Sequence, residues 1–484
     1  MSFTTFSFFG FFLAVLLLYY LLPHTARKLL LLAASYVFYM WSVPALGLVL
    51  LGTTLLSYGA GRLLDPRRHA GKWRVWVLAG CCTVHFGLLF VCKYLQMVLD
   101  LAFRLAPGLV PQTTVDLVLP VGISFFTFAV TGYLFDVYRG KLAAERNVLD
   151  YAVFTAFFPC VLAGPIGQAR SFLPQLKQRI PFQAEAVKAG VLRFVFGLFQ
   201  KLVLADHIGV LVNAAYGGAV LSPLSWIAVI LLYSLQIYFD FSGYSHMAIG
   251  LARALGLRVP ENFNAPYLST SVSSFWKKWH ISLTSWFREY LYFPLGGSRK
   301  GRLRTYFNIL IVFAVSGLWH GAAVHYVLWG LLNGLLQVLE RMTDRPRKRL
   351  EQRCQSGARR VLWGAVCGMA TYLLISLTWL LFRVDGLAQL RFILGQVLGL
   401  FRTGLGPLQL AELGMGRRLG LVLALSLGLC TAVDALWLRG CRMRRLTRSV
   451  LPYYAVLCAL ILLTAVFGVY GAGFDPQDFV YFKY

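Results

Sequence analysis

Apolar residues in this chain do not alternate with polar ones; they come in long runs. Stretches long enough to cross a bilayer lie at roughly 3–22, 29–60, 75–98, 117–138, 191–215, 223–252, 306–340, 361–383, 418–438 and 450–471. A helix needs about 20 such residues to span the hydrocarbon core. Pro44 splits the second run into two short spans, and Gly317 to Gly321 break the run 306–340. The pattern predicts an all-α, polytopic transmembrane protein of about 11 spans. The segment 150–167 is apolar but carries Pro159, Gly164, Pro165 and Gly167. It reads as re-entrant, because broken backbone survives at membrane depth only where protein or a cavity satisfies it. A different period governs Trp276 to Tyr290. Trp276, Trp279, His280, Leu283, Trp286, Phe287 and Tyr290 share one helical face, and Lys277, Lys278, Ser282, Ser285, Arg288 and Glu289 the other. This predicts an amphipathic helix along the interface that aims His280 inward. No internal repeat is present, and 341–360 reads as a short charged loop.

Composition agrees with the pattern. The 484 residues are 58% hydrophobic and 13% charged, where a soluble domain carries about a quarter charged residues. Mean hydropathy is +0.67. The net charge of +27 does not point to nucleic acid, because the basic residues sit in short loops between apolar runs. They contact anionic lipid and set topology. Arg27 and Lys28, Arg62 to Arg74, Arg139 to Arg146, Arg253 to Arg258, Arg299 to Arg304, Arg341 to Arg360 and Arg439 to Arg448 read as cytoplasmic. Both termini then lie outside, and the first run reads as a retained helix because no basic n-region precedes it. The nine cysteines are an odd number without metal-ligand spacing, so neither a disulfide framework nor a metal site is expected.

The candidate chemistry is sparse. His320 is the one group in the run 308–321 that titrates near neutral pH. An imidazole at membrane depth either bonds between helices as packing or faces a cavity as a general base. Gly317 and Gly321 beside it permit close backbone approach or a helix break. His280, amid Trp276, Trp279 and Trp286, reads as an aromatic-belt residue or as a second functional imidazole. Asp240 needs a partner inside its span: a His, a Lys, or a substrate group. Lys201 and Asp206 read as a mutually neutralising pair. Asp136 and Arg139, at a span end, read as snorkelling to the interface.

Several strings resemble the membrane-bound O-acyltransferase (MBOAT) family. They begin at Leu119 (LPVGISFFTF), Ala163 (AGPI), Gln236 (QIYFDFSGYS), Pro260 (PENFNAPY), Phe275 (FWKKWHISL), Tyr292 (YFPLGGSRKG) and Ser316 (SGLWHG). They cover about 115–335 in the family's order. The chain therefore reads as one integral-membrane domain, 1–484, with core motifs at 115–335 and peripheral spans at 1–114 and 336–484. Within the family the PLGGSRKG string and the length resemble the alginate O-acetylation branch. The resemblance implies that His320 is the catalytic His and His280 the supporting one, lining a central funnel with re-entrant or interfacial helices around it. The tail, Phe479 to Tyr484, resembles a C-terminal F-x-Y-F-x-F element whose tyrosine carries the acyl group, which would make Tyr481 a covalent relay; an interfacial anchor is the other reading. Departures from the family pattern occur at Ala129, Cys160, His246, Val324, His325 and Tyr484.

The resemblance implies an acetyltransferase of the bacterial cytoplasmic membrane. Its expected donor is acetyl-CoA or an acyl carrier-protein thioester, with no bound cofactor. Its expected partners are an extracytoplasmic acyltransferase and a polysaccharide acceptor. Lys277, Lys278, Arg299, Lys300, Arg302 and Arg304 are expected to meet donor phosphates. Asp240, Trp276, Trp279, Asn308, Ser316 and Trp319 complete the expected substrate-binding set. The same chemistry with other cargo, D-alanyl transfer to teichoic acid or peptidoglycan O-acetylation, is an alternative. A transporter using Asp240, His246, His280 and His320 is another, although transporters often show repeats.

Overall fold

A computed structural model describes residues 1–69, 71–106, 114–115, 119–354, 356–440, 444–470 and 479. Every regular element among them is helical. Among the described residues seven helices are long and apolar enough to cross a membrane: Leu46–Leu64, Arg74–Leu105, Ala184–Tyr216, Pro223–Ala254, Gly357–Arg383, Arg417–Leu438 and Val450–Phe467. Phe6–Leu21 and Ile123–Tyr138 are shorter apolar helices. The chain forms two compact units, residues 1–195 with 244–261, and residues 196–243 with 262–484. The segment 115–335 contributes to both.

In the first unit, the expected division at Pro44 appears as the helices His24–Met40 and Leu46–Leu64. The segment 150–167 is indeed broken. It forms Val148–Ala156 and the single turn Phe158–Val161, followed by an irregular path through Gly164 and Pro165, nearly all of it buried. Asp136 is buried against Arg170 at 2.9 Å instead of reaching for an interface. Lys28 pairs with buried Asp150 at 2.6 Å. Arg193 bonds both carboxylate oxygens of Glu261 and donates through Nε to His246 Nδ1 at 3.2 Å. Each of these charges thus meets the requirement that an ion removed from water be paired.

The second unit holds the expected break near residue 320. Arg302–His320 ends at Gly321, and Val324–Met342 follows. These two helices approach closely because their crossing is built from glycine. A Cβ on Gly317 would lie 2.2 Å from the Tyr326 carbonyl, and one on Gly330 would lie 2.1 Å from that of Phe313. The segment read as a charged loop is partly the helix Asp344–Arg353, which begins with an acidic residue and carries a Lys348–Asp344 pair of i,i+4 spacing at 2.7 Å.

Candidate active site

The amphipathic helix expected over 276–290 is not continuous. Val272–Lys278 and Ile281–Phe287 are separate, and a π-helical turn, Arg288–Tyr292, follows. His280 occupies the break with a left-handed backbone, φ 43° and ψ 55°. The segment 262–264 clamps that break from both sides. Asn264 N–H donates to the Lys278 carbonyl at 3.1 Å, and Ile281 N–H donates to the Asn262 carbonyl at 2.9 Å. Ser282 adds a bond to Asn262 Oδ1 at 2.6 Å, so this expected outward-facing serine is buried. Competing backbone partners override the helical period here. Of the expected inward face, Trp276, Trp279, His280, Leu283 and Phe287 are buried, whereas Trp286 and Tyr290 are only half-buried.

His320 is the last residue of its helix, with Gly321 extended after it. Gly317 and Gly321 therefore serve both readings made of them: one permits the close crossing and the other ends the helix. The His320 ring lies 4.7 Å from Trp319, 5.1 Å from Trp329 and 5.2 Å from Phe382, centroid to centroid. The His280 ring meets Phe241 at 4.7 Å and Trp319 at 6.2 Å. Trp319 is thus the shared wall between the two imidazoles. Behind them Trp329 stacks on Trp379 at 5.4 Å, and Trp279 packs on Trp379 at 5.0 Å.

Both histidines line one cavity of about 910 Å³. Its lining runs from the buried imidazoles past Trp276, Trp279 and Ser316 to exposed charge. Six cations line it, Lys277, Arg288, Arg302, Arg341, Arg347 and Lys348, against three carboxylates, Glu340, Asp344 and Glu351. Such a site joins an anion-attracting mouth to a buried, aromatic-walled end. A neutral imidazole is the form that can act as a general base.

The expected residues divide accordingly. Trp276, Lys277, Trp279, His280, Ser316 and His320 line the cavity. Trp319 packs between the two imidazoles. Asn308 is buried and holds the glycine loop before its helix, donating through Nδ2 to the carbonyls of Leu295 at 3.3 Å and Gly297 at 2.9 Å. Lys278, Arg299, Lys300 and Arg304 are not among the lining residues, whereas Arg302 is. Asp240 faces Lys201 Nζ at 2.6 Å, so its partner is a lysine. Lys201 pairs with Asp206 as well, at 2.8 Å. Tyr481 lies outside the described residues. Sequence reasoning missed Arg341, Arg347, Lys348 and Glu340; the signal was the i,i+3 and i,i+4 charge spacing within 340–351, hidden by reading that stretch as a loop. No cluster of metal-ligating side chains occurs among the described residues.

Comparison with known proteins places the chain in a family. The chain matches the membrane-bound O-acyltransferase family over residues 141–383. It is 36% identical over 413 residues to the probable alginate O-acetylase AlgI of Pseudomonas putida, covering 84% of this chain and 81% of that one. It is 31% identical over 406 residues to the peptidoglycan O-acetyltransferase of Helicobacter pylori, covering 77% and 74%. Against the teichoic acid D-alanyltransferase of Bacillus subtilis the identity is 28% over 229 residues, 45% of this chain and 57% of that one. With its apolar helices and this likeness over most of its length, the chain belongs to the membrane-bound O-acyltransferase family and is a multi-pass membrane O-acyltransferase.

Proposed function

We propose that this enzyme moves an acetyl group from a cytoplasmic thioester across the bacterial cytoplasmic membrane for O-acetylation of an extracytoplasmic polysaccharide. The observation that carries the reading is the single cavity with two buried imidazoles at one end and a cationic mouth at the other. A thioester such as acetyl-CoA presents phosphates and a small reactive head; the mouth suits the first and the buried end the second. The likeness to alginate O-acetylases supports a polysaccharide acceptor. The positive-inside distribution supports about 11 crossings by one functional domain, with both ends of this sequence outside.

In the proposed reaction, His320 takes the proton of an acceptor hydroxyl, the phenol of Tyr481. The oxygen attacks the thioester carbonyl, the carbon–sulfur bond breaks, and the imidazolium returns its proton to the leaving thiolate. His280 supports the same cavity end. An extracytoplasmic partner then transfers the acetyl group to sugar. Replacing His320 by Ala should abolish acetylation while the protein remains in the membrane; retained activity refutes the base assignment. Tyr481→Phe tests the relay separately: product acetylation at the wild-type level would leave the tail without a covalent role. Likeness to the Helicobacter pylori enzyme favours peptidoglycan as the second acceptor. Comparing acetyl content of the two polymers in a deletion strain distinguishes them.

A further inference from the structure

Of the six cations that line the cavity, Lys277, Arg288, Arg302, Arg341 and Lys348 are exposed. Arg347 differs: it is half-buried, and its guanidinium is tied down twice. Nη2 donates to the Thr270 carbonyl at 2.8 Å, and Nη1 lies 3.3 Å from Glu340 Oε1. Glu340 is fixed in turn, because its other oxygen, Oε2, accepts the N–H of Ser273 at 3.1 Å. This chain of bonds joins the start of Val272–Lys278, the last turn of Val324–Met342 and the helix Asp344–Arg353 at the mouth of the cavity.

A guanidinium carries its five N–H donors in one rigid plane. The contacts with Thr270 and Glu340 engage two different nitrogens and leave further N–H donors on a side chain that lines the cavity. A cation fixed in this way loses little freedom when an anion arrives, whereas the exposed side chains around it must first be immobilised. The lining cations outnumber the carboxylates, so the carboxylate that orients Arg347 does not make the mouth repel anions. Asp344, Arg347, Lys348 and Glu351 line the cavity from one helix, at i, i+3, i+4 and i+7. Sign therefore changes within each helical turn. That pattern suits phosphates carried on a small molecule. It lacks the unbroken cationic face that an acidic carrier protein would dock against.

We propose that Arg347 is the specificity-determining residue for the acyl donor: it seats a phosphate of a nucleotide-bearing thioester of the coenzyme A class, and Glu340 is the positioning residue that sets its plane. This assignment rests on the thioester-donor reading above and selects, within it, the cation that is used and the donor class it favours.

The test measures thiol release by the full-length enzyme in detergent micelles with two donors: acetyl-CoA, and S-acetylpantetheine, which has the same thioester and no phosphate. Arg347→Gln should raise KM for acetyl-CoA about ten- to hundredfold, with kcat near wild type and KM for S-acetylpantetheine unchanged. Arg347→Lys keeps the charge but loses the planar fork, and should fall between the two. Glu340→Ala releases the guanidinium and should raise KM for acetyl-CoA by a smaller factor; Glu340→Gln keeps an acceptor and should stay near wild type. An unchanged KM for acetyl-CoA in Arg347→Gln would make Arg347 a strut between helices and overturn the seat. An equal rise with both donors would show a general disturbance of the cavity and overturn it as well. A rise with an acetylated acidic carrier protein, and none with acetyl-CoA, would overturn the nucleotide assignment. If the wild-type enzyme releases thiol from neither small donor, the thioester-donor reading itself fails and the seat falls with it; the variant results otherwise judge Arg347 alone.

Discussion

His280 keeps a backbone conformation that costs a residue with a Cβ about 1–2 kcal/mol, and it is held there by the bonds of Asn262 and Asn264. A glycine at this position relieves the strain and loses the ring. His280→Gly should therefore match or exceed His280→Ala in thermal midpoint, by about 1 kcal/mol of stability, while both lose acetylation. The ion cluster behaves in the opposite sense. Lys201→Met leaves two buried carboxylates uncompensated and should destabilise the protein by about 3–5 kcal/mol, read as a lowered thermal midpoint in detergent. Glu145 supplies a pH effect outside the spans. Burial pushes its carboxyl up, but the Lys177 ammonium at 2.9 Å and the N–H groups of Asn147 and Arg146 outweigh burial and hold it below the ordinary carboxylate value. The sign follows from linkage: this contribution is complete above the unfolded value of about 4.3 and is lost as pH falls through the lower, folded value. Glu145→Gln should narrow the difference in stability between pH 6 and pH 3.

At the scale of elements, the pair Arg302–His320 and Val324–Met342 delivers His320 to the cavity, and its glycines set the spacing. Gly317→Ala meets a backbone carbonyl, not a yielding side chain. The helices must separate, which should cost about 1–3 kcal/mol and displace His320 from the cavity, so acyltransferase activity should fall more than the protein level does if the proposed base role holds. Asn308 acts one loop earlier, where Gly296 and Gly297 turn with positive φ of 102° and 56°. Asn308→Ala removes the donor to two carbonyls and should cost about 1–3 kcal/mol, with faster proteolysis within 293–301. Element reading from sequence succeeded where a run is long and uniformly apolar: 361–383 and 418–438 appear as Gly357–Arg383 and Arg417–Leu438. It failed over 276–290, where the period was right for the buried face but the break at His280 depends on a segment fourteen residues and more away.

For the whole molecule, membrane character, helical class and acyltransferase chemistry were legible along the chain, because apolar run length and motif strings are local properties. His320 and His280 could be picked out as polar groups in apolar surroundings, since desolvation makes such residues costly without a use. Their meeting in one cavity, the turn of Asp240 toward Lys201, the service of Asn308 to a loop and the cationic mouth over 340–351 were decided by tertiary packing. Each depends on which distant residue supplies the compensating charge or hydrogen bond. A linear pattern states that a buried ion must have a partner; only the folded chain, with glycine crossings fixing the helix spacings, selects which one.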